Sequence, residues 1–140
     1  MKRIISLTVA IIAALLLGSC VKDNPKITNT LNYDGKTYKI DFMAVVNGDI
    51  FDSDIHFLEE SALEEAWGMM WATGKLGTYT LPAQETDFML TKNTHPDYSI
   101  DFQSGEAKIW IDDDSKVCIY VDGKTNEGKI FKLSAKSIND

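Results

Sequence analysis

The chain is poor in the residues on which metal and catalytic sites most often depend. It contains two histidines, His56 and His95, and two cysteines, Cys20 and Cys118, and no two of them stand at a His-x-x-x-His or Cys-x-x-Cys spacing. Structural zinc sites use such closely spaced nitrogen and sulfur ligands. Neither a Gly-x-Ser-x-Gly segment nor a glycine-rich phosphate loop occurs. The sequence therefore supports no cofactor and predicts a protein that is not an enzyme.

Calcium-binding patterns are also missing, although acidic residues are frequent. Asn47, Asp49, Asp52 and Asp54 share one stretch, and residues 112–114 form an acidic run. Calcium takes about six to eight oxygen ligands, which EF-hand loops supply from an Asp-x-Asp-x-Asp-Gly pattern with a closing Glu. Neither stretch follows that pattern. We interpret both as solvated turns and expect no metal.

No apolar run is long enough to cross a bilayer as a helix, which takes roughly 20 residues. Residues 4–17 form an apolar segment interrupted by two hydroxyl side chains, and Lys2 and Arg3 precede it. A positive start, a short apolar middle and an exit of small residues are the three parts of a secretory signal peptide. We therefore predict a signal over residues 1–19.

The end of this segment carries the most specific motif in the chain. Leu17-Gly18-Ser19-Cys20 resembles the lipobox of bacterial lipoproteins. The resemblance implies that Cys20 is diacylated on sulfur, becomes the first residue of the mature chain and receives a further acyl chain such as palmitate. Several acyl chains on one residue give durable membrane anchoring, whereas a single chain binds only marginally. Because no Asp follows Cys20, the resemblance also implies the cell envelope, at the periplasmic or surface face of the outer membrane.

Charge limits the partners of the mature chain. Loss of residues 1–19 removes two positive charges and changes the formal net charge from −7 to −9. Such acidity disfavours nucleic acid and anionic membrane surfaces, because phosphate binding requires Lys and Arg. The expected contact with the membrane is the lipid on Cys20. The remaining length suits one domain, which we place at 31–140 behind a polar tether at 20–30.

Alternating apolar residues predict a β-rich fold. Asp34-Gly35 lies between alternating residues, which is a strong hairpin signal, and the following segment 38–46 has a period of two. Residues 50–60 fit either a strand or the entry to a helix. A helix is predicted over 61–73, because Ser61 and Glu64 form a capping box and apolar residues follow at helical spacing. Two short strands are predicted at 77–82 and 86–91.

The last third of the chain predicts a four-strand antiparallel meander. Its expected strands are 98–103, 106–112, 116–122 and 129–135, with turns at 104–105, 113–115 and 123–128. Register follows from turn length and from keeping apolar residues on one face. The expected cross-strand pairs are Phe102 with Ala107, Ile109 with Ile119, Trp110 with Cys118, Ile111 with Val117, and Ile119 with Phe131.

Four aromatic residues are the candidate ligand-binding residues of the chain: Trp110, Tyr120, Trp67 and Trp71. One interpretation is an aromatic platform on which a sugar or another flat ligand stacks. The alternative, which we expect, is that they belong to the packing of the domain. The helix at 61–73, or the N-terminal strands, would then cover the sheet face that carries Trp110, Cys118, Tyr120 and Ile130.

The mature chain as a whole resembles the small β-sandwich lipoproteins of Bacteroidota. The resemblance rests on the lipobox, on the hairpin at 34–38, on Gly77-Thr78-Tyr79-Thr80-Leu81 and on the meander from residue 98 onward. It implies a mainly β (α+β) fold, an antiparallel β-sandwich or half-barrel with one short helix. We expect a lipid-anchored envelope protein that binds a glycan, a peptide or a partner protein. A structural or assembly subunit that acts through edge-strand pairing is the alternative.

Overall fold

The computed structural model describes residues 24–58, 69–92 and 95–139. Within these ranges the chain forms ten β-strands and no helix. The strands are β1 (Thr30–Tyr33), β2 (Lys36–Asn47), β3 (Ile50–Phe57), β4 (Met69–Lys75), β5 (Gly77–Leu81), β6 (Phe88–Lys92), β7 (His95–Ser99), β8 (Phe102–Ile111), β9 (Val117–Thr125) and β10 (Ile130–Lys136).

All ten strands belong to one antiparallel sheet that is rolled into a nearly closed barrel. The strand order is β5-β8-β9-β10-β1-β2-β3-β4-β6-β7. Only Leu76 separates β4 from β5 in sequence, yet β5 is the first strand of this order and β4 the eighth. One bent segment thus brings distant parts of the sheet together. The mainly β, half-barrel architecture predicted from the sequence is confirmed.

The N-terminal hairpin forms as predicted. Tyr33 pairs with Lys36, and the two loop residues Asp34 and Gly35 have φ values of 52° and 91°. Positive φ at both positions is the type I′ geometry that matches the twist of paired strands. Along β2, the alternate side chains from Tyr38 to Ala44 are buried. Residues 50–57, for which the sequence left strand and helix open, form strand β3.

The helix predicted at 61–73 is wrong over its last five residues, which belong to β4, while residues 61–68 lie outside the described residues. β4 pairs with β3 on one side and β6 on the other. Met70 and Ala72 are fully buried and alternate with half-buried Trp71, so period two prevails over the helical spacing. Gly74, the residue after the predicted helix, lies within β4, where a Cβ would be 2.2 Å from the carbonyl oxygen of Asp87.

The first hairpin predicted for the meander is also wrong. β8 runs without a turn through Ser104 and Gly105, and Gly105 pairs with Leu81 on one side and Gly123 on the other. A Cβ at Gly105 would lie 2.4 Å from the carbonyl oxygen of Asp122. The glycine that suggested a turn is therefore required by the close approach of two strands.

The second predicted hairpin is confirmed, and the third is shifted. Trp110 pairs with Cys118, and the flanking pairs Ile109–Ile119 and Ile111–Val117 also form. In the next hairpin Ile119 pairs with Ala135 in place of Phe131, because β9 continues to Thr125 before the chain turns. The shift of four residues is even, so each side chain keeps its predicted face.

Candidate functional site

A cavity opens where two strands diverge from the same neighbour. β6 pairs with β4 and β8 pairs with β5, which is the continuation of β4. Between β6 and β8 the sheet is split, and a cavity of about 500 Å³ occupies the split. The cavity is lined by residues from the end of β5 and the following loop (81–83 and Glu85), from β6 (88–90), from the β7–β8 connection (99–103) and from Asn126.

The floor of the cavity is apolar. It is formed by five side chains that are each at most 8% exposed: Leu81, Phe88, Leu90, Ile100 and Phe102. Phe102 packs edge-on against Phe131, with ring centroids 5.3 Å apart. Gly123 makes room for this arrangement, because a Cβ there would lie 3.1 Å from the ring of Phe102 and 3.4 Å from the side chain of Leu81.

Tyr79 holds one wall of the cavity in place. Its ring stacks on Phe88 with centroids 6.3 Å apart and an interplanar angle of 14°. The hydroxyl donates a hydrogen bond of 2.8 Å to the carbonyl oxygen of Lys75. Burial raises the pKa of Tyr79, and the carboxylates of Asp87 and Asp49 raise it further. The phenol is therefore neutral and remains a donor at physiological pH.

The β7–β8 connection is fixed by hydrogen bonds on both sides. Ile100 N donates to the carbonyl oxygen of Leu90 at 2.8 Å, and Asn126 N donates to the carbonyl oxygen of Asp101 at 2.9 Å. The Ser99 hydroxyl donates to Asp101 Oδ1 at 3.1 Å. Because Leu90 on β6 and Asn126 in the β9–β10 loop are both hydrogen-bonded to this connection, the cavity is largely preformed, as ligand sites usually are.

The rim of the cavity is rich in hydrogen-bond acceptors. Two exposed carboxylates, Glu85 and Asp101, border it, and no lysine or arginine is among the lining residues. Gln103 Nε2 donates one of its two N–H groups to the carbonyl oxygen of Thr125, at 3.1 Å, and its side-chain oxygen is an acceptor. An apolar floor below an acidic rim suits a ligand with an apolar body and a positively charged or N–H-bearing part.

The three aromatic candidates that the structure describes do not form one site, and none of these three lines the cavity. Trp110 and Tyr120 lie on the outer face of β8 and β9. Trp71 lies on the outer face of β4, paired with Asp54 and Thr91, at another place in the strand order. Trp67 and the predicted lipidation site Cys20 lie outside the described residues.

A segment before β1 lies across the face with Trp110 and Tyr120, which the sequence predicted to be covered by the helix at 61–73 or by the N-terminal strands. Lys108 Nζ lies 5.3 Å above the Trp110 ring and also donates to Asn24 Oδ1. The Ser134 hydroxyl accepts from Thr28 N and donates to the carbonyl oxygen of Lys26. Residues 24–28, which the sequence assigns to the tether, therefore lie across this face. The part of the predicted helix that the structure describes belongs to β4.

Cys118 and the acidic turn near it are a structural cluster. Cys118 is 1% exposed although it points to the outer face. Burial and the nearby Asp112 carboxylate raise the pKa of its thiol to about 11, so it is a poor nucleophile. Asp112 accepts from Lys136 Nζ at 2.8 Å and from Lys116 N at 2.9 Å. These donors hold the pKa of Asp112 at about 2.

The described part of the chain contains no group of three or more His, Cys, Asp or Glu residues arranged to hold a metal ion. Over the same residues, no helix has the length and apolar character needed to cross a membrane. Comparison of the chain with protein-family models, curated proteins and solved structures found no match.

Proposed function

We propose that this protein is a lipid-anchored binding module of the cell envelope, whose cavity takes a short peptide segment of a partner protein. The anchor is Cys20, which is diacylated on sulfur before residues 1–19 are removed, and the location is the outer membrane. The lipobox residues Leu17-Gly18-Ser19-Cys20 support this part of the proposal. The cavity between β6 and β8 supports the second part of the proposal, the binding of a peptide segment.

The chemistry of the cavity is the observation that carries the proposal. Its volume of about 500 Å³ lies within the range of roughly 300–1,000 Å³ of small-ligand sites. The floor accepts an apolar side chain, and Glu85 and Asp101 at the rim attract a positive charge beside it. A peptide with an apolar residue next to Lys or Arg satisfies both parts of the site.

A peptide fits the cavity better than a glycan does. Sugars stack on exposed faces of aromatic rings, whereas Phe88 and Phe102 are 5% and 6% exposed. The half-buried Trp71 and Trp110 lie on separate outer faces of the barrel. The described residues therefore offer no open aromatic platform at the cavity.

Assembly through edge-strand pairing has weaker support. The ends of the strand order are β5 and β7, each only five residues long. β7 contains Pro96, which has no N–H to donate to an added strand. Short edges that contain proline are a common protection against such pairing, and this favours the cavity as the binding site.

Binding is tested by closing the cavity from its rim. The lipidated protein in detergent is screened against short peptides that pair an apolar residue with Lys or Arg, and affinities are measured by fluorescence anisotropy. Ala83→Phe places a ring at the cavity mouth and is expected to weaken binding by about tenfold or more, a loss of about 1.4 kcal/mol. Neutralising the rim with Glu85→Gln and Asp101→Asn should weaken binding and reduce its salt dependence.

The matched control is Asp52→Asn with Asp54→Asn. It also neutralises two exposed carboxylates, but on β3, away from the cavity. This variant should bind as the wild type does. Binding that survives Ala83→Phe unchanged, or a preference for sugars over peptides, would contradict the proposal.

A further inference from the structure

The segment before β1 crosses the sheet along one row of paired residues. Lys108 on β8 pairs with Tyr120 on β9, and Tyr120 pairs with Ser134 on β10. Asn24 is hydrogen-bonded to Lys108, and Thr28 to Ser134. Residues 24–28 therefore pass over Tyr120, and Asn24 lies at the β8 end of the row.

The position of Asn24 limits where the lipid can be. Three residues separate Cys20 from Asn24. A fully extended chain advances at most about 3.6 Å per residue, so the two Cα atoms are within about 14 Å of each other. A lipid on Cys20 therefore keeps the outer face of β8 close to the bilayer.

The charges on this face suit an anionic surface, although the chain as a whole is acidic. Lys108, Lys124 and Lys132 point outward from β8, β9 and β10, together with two carboxylates, Glu106 and Asp122. Asp122 accepts a hydrogen bond from the Tyr120 hydroxyl, and Lys26 adds a further exposed charge. Lys136 is paired with Asp112, and the acidic turn 112–114 marks the end of the basic surface.

The outer face of β2 and β3, separated from β10 by β1 in the strand order, has the other sign. It carries Asp41, Asp52 and Asp54 against Lys39. An exposed apolar side chain accompanies the lysines of the basic face: Ile130 is 47% exposed and points outward from β10. Lysines interspersed with isoleucine and a half-buried tryptophan are typical of surfaces that rest at the headgroup level of a membrane.

We infer that the outer face of β8, β9 and β10 lies against a bilayer surface that contains anionic headgroups, and that the outer face of β2 and β3 points away from it. This inference rests on the proposed lipidation of Cys20. Anchor length sets the distance of the face from the bilayer, and the lysines set its orientation.

The orientation is measured on the full-length lipidated protein in vesicles of equimolar phosphatidylcholine and phosphatidylglycerol. Glu106→Cys on β8 and Val45→Cys on β2 each receive a bimane label, while Cys118 stays unlabelled because it is buried. Nitroxide-headgroup lipids should quench the label at 106 several-fold more than the label at 45. Equal quenching, or stronger quenching at 45, would overturn the inference.

A pair of charge variants tests the role of the lysines. Lys132→Glu should reduce the difference in quenching between the two labels, whereas Lys39→Glu, the same change on β2, should leave it unchanged. Equal effects of both variants would refute the charge argument. Flotation and the mass of the Cys20 peptide separate the two proposals: a protein without lipid that does not float refutes the anchor, whereas a lipidated, floating protein with equal quenching refutes only the orientation.

Discussion

Single residues set the geometry of the barrel at its tightest points. Gly105 and Gly123 pair across β8 and β9, and the space that their missing side chains leave is used by backbone and by Phe102. Asp112 fixes the local geometry at the other end of the β8–β9 hairpin. Its carboxylate accepts hydrogen bonds from the backbone N–H of Lys116 and from the ammonium group of Lys136.

Asp112 makes the stability of the folded protein depend on pH in the acidic range. Its folded pKa of about 2 lies below the ordinary value of 3.8, with the Lys136 hydrogen bond as the largest cause. A group whose pKa is lowered on folding stabilises the folded state at pH values above its unfolded-state pKa. This stabilisation is lost as pH falls from about 4 towards about 2. Urea denaturation between pH 5 and pH 2 should therefore show a smaller loss of stability in Asp112→Asn than in the wild type.

A second variant separates the two kinds of donor. Lys136→Met removes the ammonium group but leaves the backbone donors of Asp112 in place, so it should retain part of the pH dependence. If Asp112→Asn loses as much stability as the wild type between pH 5 and pH 2, the assignment to Asp112 is wrong.

Cys20 is the residue on which the anchor depends. Cys20→Ala should abolish acylation and cleavage at the bond before residue 20, because the lipid is expected on the thiol and the new amine. Metabolic labelling with palmitate and detergent-phase partitioning follow both events. Ser19→Ala replaces one small residue by another and should behave as the wild type. A Cys20→Ala protein that still enters the detergent phase and is cleaved at the same bond would refute the lipoprotein assignment.

Among the elements, the N-terminal segment acts as a cover for the outer face of β8–β10. Pro25 and Ile27 are half-buried, and Asn29 is tied to the strands on both sides: its Oδ1 accepts from Lys136 N, and its carbonyl oxygen accepts from Ile40 N. Cys118 pairs with Lys136 in this region. We therefore expect the segment to help shield the Cys118 thiol from solvent.

Thiol reactivity reports whether this cover is closed. Ser134→Ala removes the side-chain hydrogen bonds to Lys26 and Thr28, so the segment should detach more often and Cys118 should react several-fold faster with iodoacetamide. Ser53→Ala is the control, since it removes one buried hydrogen bond to Ala72 on the other side of the barrel at a comparable cost of about 1 kcal/mol. Equal reactivity in the two variants would show that the segment does not protect the thiol.

The conformation of elements that is set by neighbouring residues could be predicted from the sequence. The conformation of elements that depends on pairing with distant strands could not. Asp34-Gly35 and residues 113–115 sit in short loops that fix the register of their hairpins. Ser104-Gly105 has the composition of a turn, but β5 pairs along β8 at this point and keeps the strand extended. Residues 69–73 fit both helical and strand periods, and pairing with β3 and β6 decides between them.

At the scale of the whole molecule, the cavity results from the closure of the barrel. The bent β4–β5 segment pairs with β6 in its first half and β8 in its second, and the gap between those two strands becomes the cavity. The sequence predicts strands near β5, β6 and β8 but a helix in place of most of β4, and it contains no signal for which strands meet. Phe88, Ile100 and Phe102 were therefore missed as site residues, while the aromatic candidates were chosen because their rings can stack on a flat ligand.

The location of a bound peptide is the most direct test of the account. Methyl groups of Leu81, Leu90 and Ile100 report on the cavity floor, whereas those of Ile50 and Ile130, both exposed, report on outer surfaces. With a peptide selected for binding, methyl NMR spectra of the chain from Val21 onward should show shifts and intermolecular NOEs at the three floor residues only. Shifts centred on Ile50 or Ile130, with the floor methyls unchanged, would contradict the cavity as the binding site.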